Sequence, residues 1–565
     1  MRNRMIRRAV LLPLFAALLF GEVRAQTSAY SRYIIEFTDK NNSPYSISDP
    51  SQYLSQRAID RRIRYGIGID EFDLPINPDY IQAVTATGVT LLNRSKWLNS
   101  VSIQTDDSLA LAAVRSLPFV KSASAVAARK AGKLATKNKK WFENLPNEIA
   151  LKPEPFNLGA YGTAAHQLEM LKGNVLHEAG SRGAGMIMAI FDGGWYNVPY
   201  LDVFDSMYFN NQLLGIWNFV RGNDSVYSYS THGTEVLSLI AANKPGKMIG
   251  TAPDASFYLF VTEDAFSEFP IEEHNWAAAA EVADSLGVDV ISSSLGYSQF
   301  DDPSFNHTYA DMNGETTMSS RAASMASRKG MIVCNSAGNS GQKPWFYITA
   351  PADADGIITV GATDSTGTFT AFSSHGPTAD GRIKPTVTAQ GIRTWVIDPA
   401  VENNTTFPGN GTSFACPIIA GLSTCLWQAH PEKSNLEIID AIKRSANRYY
   451  NPNDSFGYGI PNFQVADLIL SGEAPENLQL TRPVLYPNPF RDEFGILYYL
   501  TLPEAMPVTI DIFDMIGRKI ISLQSTLQSG YNYLPVSQLS NAANGAYFVK
   551  VNFADHSDVL RVLKN

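Results

Sequence analysis

Cysteine is almost missing from this sequence of 565 residues, in which only Cys334, Cys416 and Cys425 occur. So few thiols exclude a disulfide framework as the support of the fold. Cys416 and Cys425 lie on opposite faces of one predicted helix and cannot bridge each other. All three stand in apolar surroundings, so we expect them to be buried and to act as small hydrophobic side chains.

Positive charge and long apolar runs are scarce as well. The formal net charge is −9, which favours neither nucleic acid nor an anionic membrane as a partner. After residue 25, no stretch reaches the roughly 18 uninterrupted apolar residues of a membrane-spanning helix. What remains is an ordinary globular composition, 45% hydrophobic and 18% charged. The length suggests about three or four domains.

Residues 1–25 have the pattern of a secretory signal peptide. A basic start precedes the apolar run Ala9–Phe20 of 12 residues, and Val23-Arg24-Ala25 resembles a small-residue cleavage site. A short membrane anchor is the competing interpretation, but the run is too short for a membrane span. We therefore expect a protein that is exported through the periplasm and is secreted or held at the cell surface.

Residues 26–128 predict a small α+β domain. Strand patterns alternate with helical ones, at Tyr33–Phe37, Tyr53–Arg64, Ser100–Gln104, Asp107–Leu117 and Phe119–Val126. This part of the chain contains neither His nor Cys. We therefore expect no catalytic chemistry from it.

Residues 129–159 form a basic stretch with weak apolar periodicity. Such a stretch is typical of an exposed linker that proteases cut easily. A nucleic-acid patch is the competing interpretation, which the acidic, exported character of the chain disfavours. A removable segment ahead of a larger domain is typical of a propeptide.

Residues 160–471 alternate apolar strands with helices. The strand patterns are Met186–Phe191, Ser256–Val261, Val288–Ser293, Gly330–Cys334 and Gly356–Val360, and the helical ones are Gly233–Ala242, Ile271–Leu286 and Ser319–Lys329. This order predicts an α/β fold, a parallel sheet with helices on both faces. Ligands of such folds bind beyond the carboxyl ends of the strands, so the residues that follow each strand are the ones to inspect.

A glycine-rich turn, Gly409–Gly411, leads into the apolar helical segment Ile418–Trp427, with Ser413 at the junction. Pro417 is compatible with a first helical turn, where amides have no intrahelical acceptor. Ser413 has two interpretations on this stretch alone. It is either a simple N-cap, or a nucleophile beside unpaired amides at the positive end of the helix dipole.

Three other polar residues stand at predicted element junctions on the same side of the sheet. Asp192 follows the first strand, Asn339 follows a later one, and His232 opens a helix. Each alone is explained as a loop former or a structural residue. Together with Ser413 they supply what acyl transfer by serine needs: a nucleophile, a base, a carboxylate and an oxyanion donor. His375, in a Gly-Pro loop, is the rival base, and His232 is favoured because a helix start fixes its direction.

The order Asp…His…Ser resembles that of the subtilisin-like serine proteases, the subtilases of family S8. The matching motifs are Ala189–Gly194, His232-Gly233-Thr234, Gly250–Ala255, Ser294-Leu295-Gly296, Ser336–Asn339, Gly411–Pro417 and Gly457–Pro461. The resemblance implies that Asp192 orients His232, that His232 is the general base and that Ser413 attacks the peptide carbonyl. It further implies an oxyanion hole from Asn339 and the Ser413 amide, and pairing of the substrate backbone with Ser294, Leu295 and Gly296.

The sequence departs from that family in two places. Gly193 stands where many relatives carry Ser or Thr, which removes a supporting hydrogen bond but no catalytic group. Residues 297–320 look longer than in short relatives, and their carboxylates are either solvated or ligands of a structural calcium ion. The four candidates are Asp301, Asp302, Asp311 and Glu315. The chemistry itself requires no cofactor.

Residues 472–484 predict a linker, and 485–565 a small β-sandwich of short alternating strands. Tyr486–Phe490, Gly545–Val549 and Arg561–Lys564 resemble the C-terminal sorting domain of the type IX secretion system. A generic binding module, for example for carbohydrate, is the alternative. If the resemblance holds, residues 485–565 contact the secretion machinery.

The sequence as a whole therefore predicts a secreted serine endopeptidase made as a zymogen. Its partners would be protein or peptide substrates and its own propeptide, which acts as an intramolecular inhibitor. The alternative is a surface adhesion or binding protein on a catalytically inert scaffold. Inert relatives usually lose a residue of the Asp-His-Ser set, and all three residues are present here.

Overall fold

The computed structural model describes residues 30–128, 159–228, 230–400, 405–449, 451–471, and 482–564 apart from 487, 491, 492, 501, 503 and 529. The predicted signal peptide and most of both predicted linkers lie outside the described residues. Within the described part, no helix is both long enough and apolar enough to cross a membrane.

The N-terminal unit is an antiparallel sheet covered by helices. Its elements are β1 (Tyr30–Phe37), α1 (Gln56–Tyr65), α2 (Pro78–Thr85), β2 (Thr90–Ser95), β3 (Ser100–Gln104), α3 (Ser108–Arg115) and β4 (Val120–Ala128). The strand order is β2-β3-β1-β4. Apolar side chains from sheet and helices, among them Ile35, Ile103 and Val114, are fully buried between the two layers. The predicted α+β fold is confirmed, although α2 and β2 are absent from the prediction.

The central unit contains a parallel sheet of seven strands in the order β13-β12-β11-β10-β5-β9-β6. The strands of the whole central unit, which include the separate pairs β7-β8 and β14-β15, are β5 (Ile187–Asp192), β6 (Leu213–Asn218), β7 (Asn243–Lys244), β8 (Met248–Ile249), β9 (Ser256–Val261), β10 (Val290–Ser293), β11 (Ile332–Ser336), β12 (Ile358–Thr363), β13 (Val387–Gln390), β14 (Thr394–Ile397) and β15 (Thr406–Gly409). Its helices are α4 (Ala165–Glu169), α5 (Gly173–Glu178), α6 (Asp205–Phe209), α7 (His232–Ala241), α8 (Ile271–Leu286), α9 (Met318–Arg328), α10 (Thr412–Ala429), α11 (Asn435–Ser445) and α12 (Phe463–Leu470).

Helices cover both faces of this sheet, as predicted. Side chains alternate along β5, so Met188 and Ile190 point into the core beneath α7 and α10. Ala189 and Phe191 point into the opposite core, where the ring of Phe191 packs edge-on against Trp276 of α8 at 5.4 Å. Because both faces are buried, the strands read as continuous apolar runs in the sequence.

The N-terminal unit contacts α8 through a buried cluster of charges that we call the interface ion network: Arg62, Asp73, Asp284 and Lys329. Arg62 donates to Asp73 Oδ1 at 2.6 Å and to Asp284 Oδ2 of the central unit at 2.8 Å. Lys329 of the central unit donates to Asp73 Oδ2 at 2.7 Å. All four side chains are at most 2% exposed. Each unit therefore neutralises buried charge on the other.

The C-terminal unit is a sandwich of two antiparallel sheets. One sheet contains β16 (Val484–Tyr486), β17 (Phe494–Leu500) and β20 (Gly530–Val536); the other contains β18 (Met506–Phe513), β19 (Lys519–Leu527), β21 (Gly545–Asn552) and β22 (Ser557–Lys564). Phe494 and Ile496 of the first sheet share one core with Ile512 and Val549 of the second. The predicted β-sandwich is confirmed.

Candidate active site

Asp192 and His232 meet at the carboxyl end of the sheet. Asp192 is the last residue of β5 and His232 the first of α7, and they are 0% and 5% exposed. His232 Nδ1 lies 2.8 Å from Asp192 Oδ2. Because an ionised carboxylate only accepts, Nδ1 carries the proton and Nε2 of the neutral imidazole is left with a lone pair.

Two environmental effects act on this pair. Burial lowers the pKa of His232, but the charge and hydrogen bond of Asp192 outweigh burial and raise it above the ordinary value. The second Asp192 oxygen, Oδ1, accepts from the backbone N–H of Gly193 at 2.7 Å. The main chain of Gly193 thus holds the carboxylate although position 193 carries no side chain.

Gly233 allows α7 to approach the end of β5 so closely. A Cβ atom on Gly233 would lie 2.2 Å from the Gly194 carbonyl oxygen and 3.1 Å from the Asp192 Cβ. Any other residue at position 233 would push the helix start away and lengthen the contact between Asp192 and His232.

Ser413 is the second residue of α10, 8% exposed, and is not its cap. The N-cap residue is Gly411, with a φ of 151°. Because glycine has no side chain that could accept hydrogen bonds from the first amides of the helix, other groups have to accept them. The N-cap interpretation of Ser413 is therefore wrong. The serine is inside the first turn, where its own backbone N–H has no intrahelical acceptor.

The prediction that Pro417 lies in the first turn is also wrong, because it stands four residues after Ser413. A residue at that position normally donates its N–H to the Ser413 carbonyl, and proline has none to donate. Ser294 replaces the missing donor, since its Oγ donates to the Ser413 carbonyl oxygen at 2.8 Å. Because Pro417 has no N–H to donate, the Ser294 hydroxyl makes this hydrogen bond and connects α10 to the segment that follows β10.

Asn339 lies beyond the end of β11 and is oriented by Thr412. Its Oδ1 accepts from the Thr412 N–H and from the Thr412 hydroxyl, both at 3.0 Å. Since both bonds go to the oxygen, the amide cannot flip without losing them, and Nδ2 is left as the outward donor. Among the described residues, Asn339 Nδ2 donates to no acceptor.

Ser294, Leu295 and Gly296 follow β10 and border the start of α10. Ser413 Oγ donates to the Ser294 carbonyl oxygen at 3.4 Å, a long hydrogen bond. The ring of Phe414 lies 5.9 Å from that of His232. The structure thus brings Asp192 and His232 into direct contact and places the imidazole beside the residue that follows Ser413.

His375, the rival base, is engaged elsewhere. Its ring stacks on Phe346 at 4.3 Å and 4°, and its Nδ1 lies 3.1 Å from Ser455 Oγ. Burial lowers its pKa. Neither partner is a carboxylate that could hold the imidazole as Asp192 holds His232.

The four calcium candidates take part in local hydrogen bonds or are exposed. Asp302 accepts from the Ser304 N–H, Asp311 from the Thr308 N–H, and Asp301 from the Glu268 N–H, while Glu315 is exposed. In the part of the chain that the structure describes, the carboxylates that come together are those of Glu263, Glu268 and Glu272, with oxygens within 4.8 Å of one another. Only the spacing of these glutamates before and into α8 could have indicated this cluster.

Glu235 is a further titratable group that the sequence prediction missed. It stands three residues after His232 in the first turn of α7. Burial raises the pKa of Glu235 to about 7, and its charge in turn raises the pKa of His232. Its position one helical turn from the histidine was the signal available in the sequence.

Comparison with known proteins finds matches for all three units. Residues 183–459 match the subtilase family, peptidase S8. Residues 32–141 match the peptidase S8 propeptide domain of Bacteroidota, and residues 484–565 match the secretion system C-terminal sorting domain.

Several bacterial proteases align with the central unit. M-protease of Shouchella clausii is 29% identical over 297 residues, which are 51% of this chain and 66% of that protein, so just under two thirds of its length is spanned. Subtilisin BL of Lederbergia lenta is 29% identical over 51% of this chain and 93% of its own. The solved structure of MycP1 from Mycobacterium smegmatis aligns with 55% of this chain and 86% of its own, at 20% identity and a TM-score of 0.42.

Proposed function

We propose, since the central unit of this chain belongs to the subtilase family, that the protein is a secreted serine endopeptidase made as a zymogen. The observation that carries the proposal is the hydrogen bond of 2.8 Å between Asp192 and His232. It lies beside the helix start that bears Ser413. A carboxylate, an imidazole and a buried serine hydroxyl together are the groups that acyl transfer requires.

In the proposed reaction, Ser413 Oγ attacks the scissile carbonyl carbon and His232 Nε2 takes the hydroxyl proton. Asp192 stabilises the imidazolium that forms. The carbonyl electron pair moves onto oxygen, where Asn339 Nδ2 and the Ser413 N–H donate to the oxyanion. The positive end of the α10 dipole favours the same charge.

The tetrahedral intermediate then collapses. The bond between carbon and nitrogen breaks, and the amine leaves with the proton that His232 returns. Water attacks the remaining ester in a second cycle of the same proton transfers, which frees Ser413. The peptide backbone would lie along Ser294–Gly296, beside the nucleophile.

The N-terminal unit would keep the enzyme inactive before processing. Val126 and Ala127, near the end of β4, pack in one apolar cluster with Ile271 and Phe269 of the central unit. The last strand of the N-terminal unit thus ends against the central unit. Cleavage between residues 126 and 160 would release it, and the C-terminal unit would direct export by contact with the secretion machinery.

Labelling with a fluorophosphonate tests the nucleophile. We expect purified mature protein to be labelled at Ser413, and Ser413→Ala to lose label, peptide cleavage and self-processing together. The matched control is Ser455→Ala, which removes a hydroxyl that contacts the rival His375. Folded mature protein without label would favour the inert binding protein, and processing in pure Ser413→Ala would identify another protease as the processing enzyme.

A further inference from the structure

The three-stranded sheet of the C-terminal unit has an apolar outer face. Side chains alternate along β17, so Phe494 and Ile496 point into the core of the sandwich and Leu497 points away from it. Val484 of β16 and Tyr533 of β20 pair with Leu497 on either side, in one row across the three strands. This apolar row stands where a solvated sandwich carries polar residues.

The outer face of the four-stranded sheet has a more polar character. It includes Thr509, Asp511, Lys550 and Asn552, which alternate with the core residues of β18 and β21. Asn552 Nδ2 donates to Asp511 Oδ2 at 3.1 Å across these two strands. The two outer faces of the sandwich therefore differ, and the three-stranded one is suited to a dry interface.

The central unit covers the apolar row. Leu497 is 5% exposed and belongs to the same hydrophobic cluster as Leu171 and Leu470 of the central unit. Val484 and Tyr533 are half-buried and pack against that cluster. The occupant of this face is therefore the central unit of the same chain.

Lys172 of the central unit makes the polar contacts of this interface. Its Nζ lies 4.5 Å from the centre of the Tyr533 ring, whose face attracts a cation. The same Nζ lies 3.9 Å from Glu493 Oε1. Gly495 leaves room for the ring, since a Cβ atom on Gly495 would lie 1.8 Å from Tyr533 Cε2. The sheet thus offers an aromatic face and a carboxylate to one lysine.

The chain at Lys172 leads directly to the helix that bears Ser413. Lys172 is the N-cap of α5 and has a φ of 58°, a left-handed conformation that is uncommon for a residue with a side chain. The next residue, Gly173, packs on α10, because a Cβ atom on it would lie 2.5 Å from Leu422 Cδ2. A contact that fixes Lys172 therefore also fixes the packing of α5 on α10.

We propose that the C-terminal unit has a second role besides export: it docks on the central unit through Leu497 and Tyr533 and holds the start of α5 against α10. The apolar row supplies the buried area of this clamp. The Lys172 ammonium over the Tyr533 ring determines where the sheet docks. The clamp acts through packing, so it does not depend on whether Ser413 reacts.

Hydrogen exchange followed by mass spectrometry tests the clamp in the full-length chain, with Ser413→Ala in every sample so that no self-processing interferes. Leu497→Ser removes apolar area from the centre of the row, and we expect the amides of α5 to exchange about tenfold faster than in the parent. Val559→Ser is the matched control, because Val559 of β22 is 62% exposed. It should leave α5 unchanged. Equal exchange of α5 in all three proteins would overturn the proposal.

A change on the central unit tests the same interface from the other side. Lys172→Glu places a negative charge beside Glu493 and removes the cation from the Tyr533 ring, so β17 and β20 should exchange about fivefold faster. Lys172→Arg keeps a cation and should behave like the parent. This pair decides the question if Leu497→Ser unfolds the sandwich, which faster exchange in β18 and β21 would reveal. Unchanged exchange in Lys172→Glu refutes the clamp.

A second copy of the chain is the alternative occupant of the apolar row. Protection of α5 by the chain's own C-terminal unit does not depend on protein concentration, whereas protection by a second copy is lost on dilution. We expect exchange in α5 to be the same at high and low concentration. Faster exchange on dilution would assign the face to a dimer and overturn the clamp. A clamped chain that takes no fluorophosphonate label contradicts the peptidase proposal alone.

Discussion

At the scale of single residues, the contact between Asp192 and His232 would set the direction of proton transfer in the proposed reaction. Asp192→Asn would present an amide that can donate to Nδ1, which favours the tautomer with its proton on Nε2. We expect kcat to fall about 10⁴-fold, as in serine proteases with this change, with little effect on the fold. Steady-state kinetics together with circular dichroism measure both, and a loss below tenfold would contradict the role of Asp192.

We expect Asn339 to stabilise the transition state and to contribute little to substrate binding. Asn339→Ala removes Nδ2 and should lower kcat about 10²–10³-fold, the effect that loss of such a donor has in subtilisin itself, while KM stays nearly constant. Because Asn339 Oδ1 also accepts from Thr412, Asn339→Asp is a useful companion: it keeps the acceptor and loses the donor. An unchanged kcat in both variants would assign the oxyanion to other donors.

Glu235 is a second carboxylate, besides Asp192, whose charge raises the pKa of His232, and it titrates near neutral pH. Its pKa is raised to about 7 by burial, so it becomes ionised as the pH rises through that value, and the charge then favours the imidazolium of His232. Glu235→Gln removes this charge and lowers the pKa of His232. We expect the acidic limb of the kcat/KM profile to shift to lower pH, and a shift to higher pH would refute the assignment.

At the scale of elements, the start of α10 depends on Pro417 and Ser294 together. Ser294→Ala leaves the buried Ser413 carbonyl without a donor and should destabilise the protein by about 1–3 kcal/mol. Pro417→Ala restores a backbone N–H at the position that normally donates to this carbonyl. In the Pro417→Ala background, the cost of Ser294→Ala should therefore be smaller. Urea unfolding of both single variants and the double variant measures this coupling, and strictly additive effects would contradict it.

Helices and strands whose apolar residues follow a clear helical or strand pattern were predictable from the sequence. The bounds of α8 and β9 agree with the prediction residue by residue, because one is a long helix and the other a continuous apolar run. β6 was missed because it is an edge strand interrupted by Gly215 and largely accessible to solvent. β13 was missed because Thr388 and Gln390 alternate with its two apolar residues, so that no apolar run marks it in the sequence.

Of the candidate site, the sequence indicated the residues that stand at element junctions. Asp192, His232 and Asn339 each follow or begin an element whose period is readable, so their common side of the sheet could be inferred. The hydrogen bond from Ser294 to the Ser413 carbonyl could not be found in this way, because only the tertiary structure brings the segment after β10 to the start of α10.

At the scale of the whole molecule, the interface ion network should make the N-terminal unit hard to detach. Arg62→Met removes the guanidinium that joins Asp73 to Asp284. Lys329 still pairs with Asp73 and Arg61 with Asp284, so the cost should lie at the lower end of the roughly 3–5 kcal/mol that breaking a buried ion pair costs. We expect a clearly lower melting temperature for the zymogen in a Ser413→Ala background, where no self-processing interferes. Arg64→Met, an exposed change on the same helix, should have little effect. Equal melting temperatures for the two variants would mean that the network does not hold the units together.

The three cysteines have a practical consequence. All are buried and unbridged, and burial raises the pKa of Cys416 to about 12 and the pKa of the other two thiols as well. Because the thiolate is the reactive form, the cysteines of the folded protein should not react with maleimide reagents. A single cysteine at position 515, whose methionine is 68% exposed at the tip between β18 and β19, would then be the one site that takes a fluorescent dye. Such a reporter would follow export and the fate of the C-terminal unit in living cells without any background mutation.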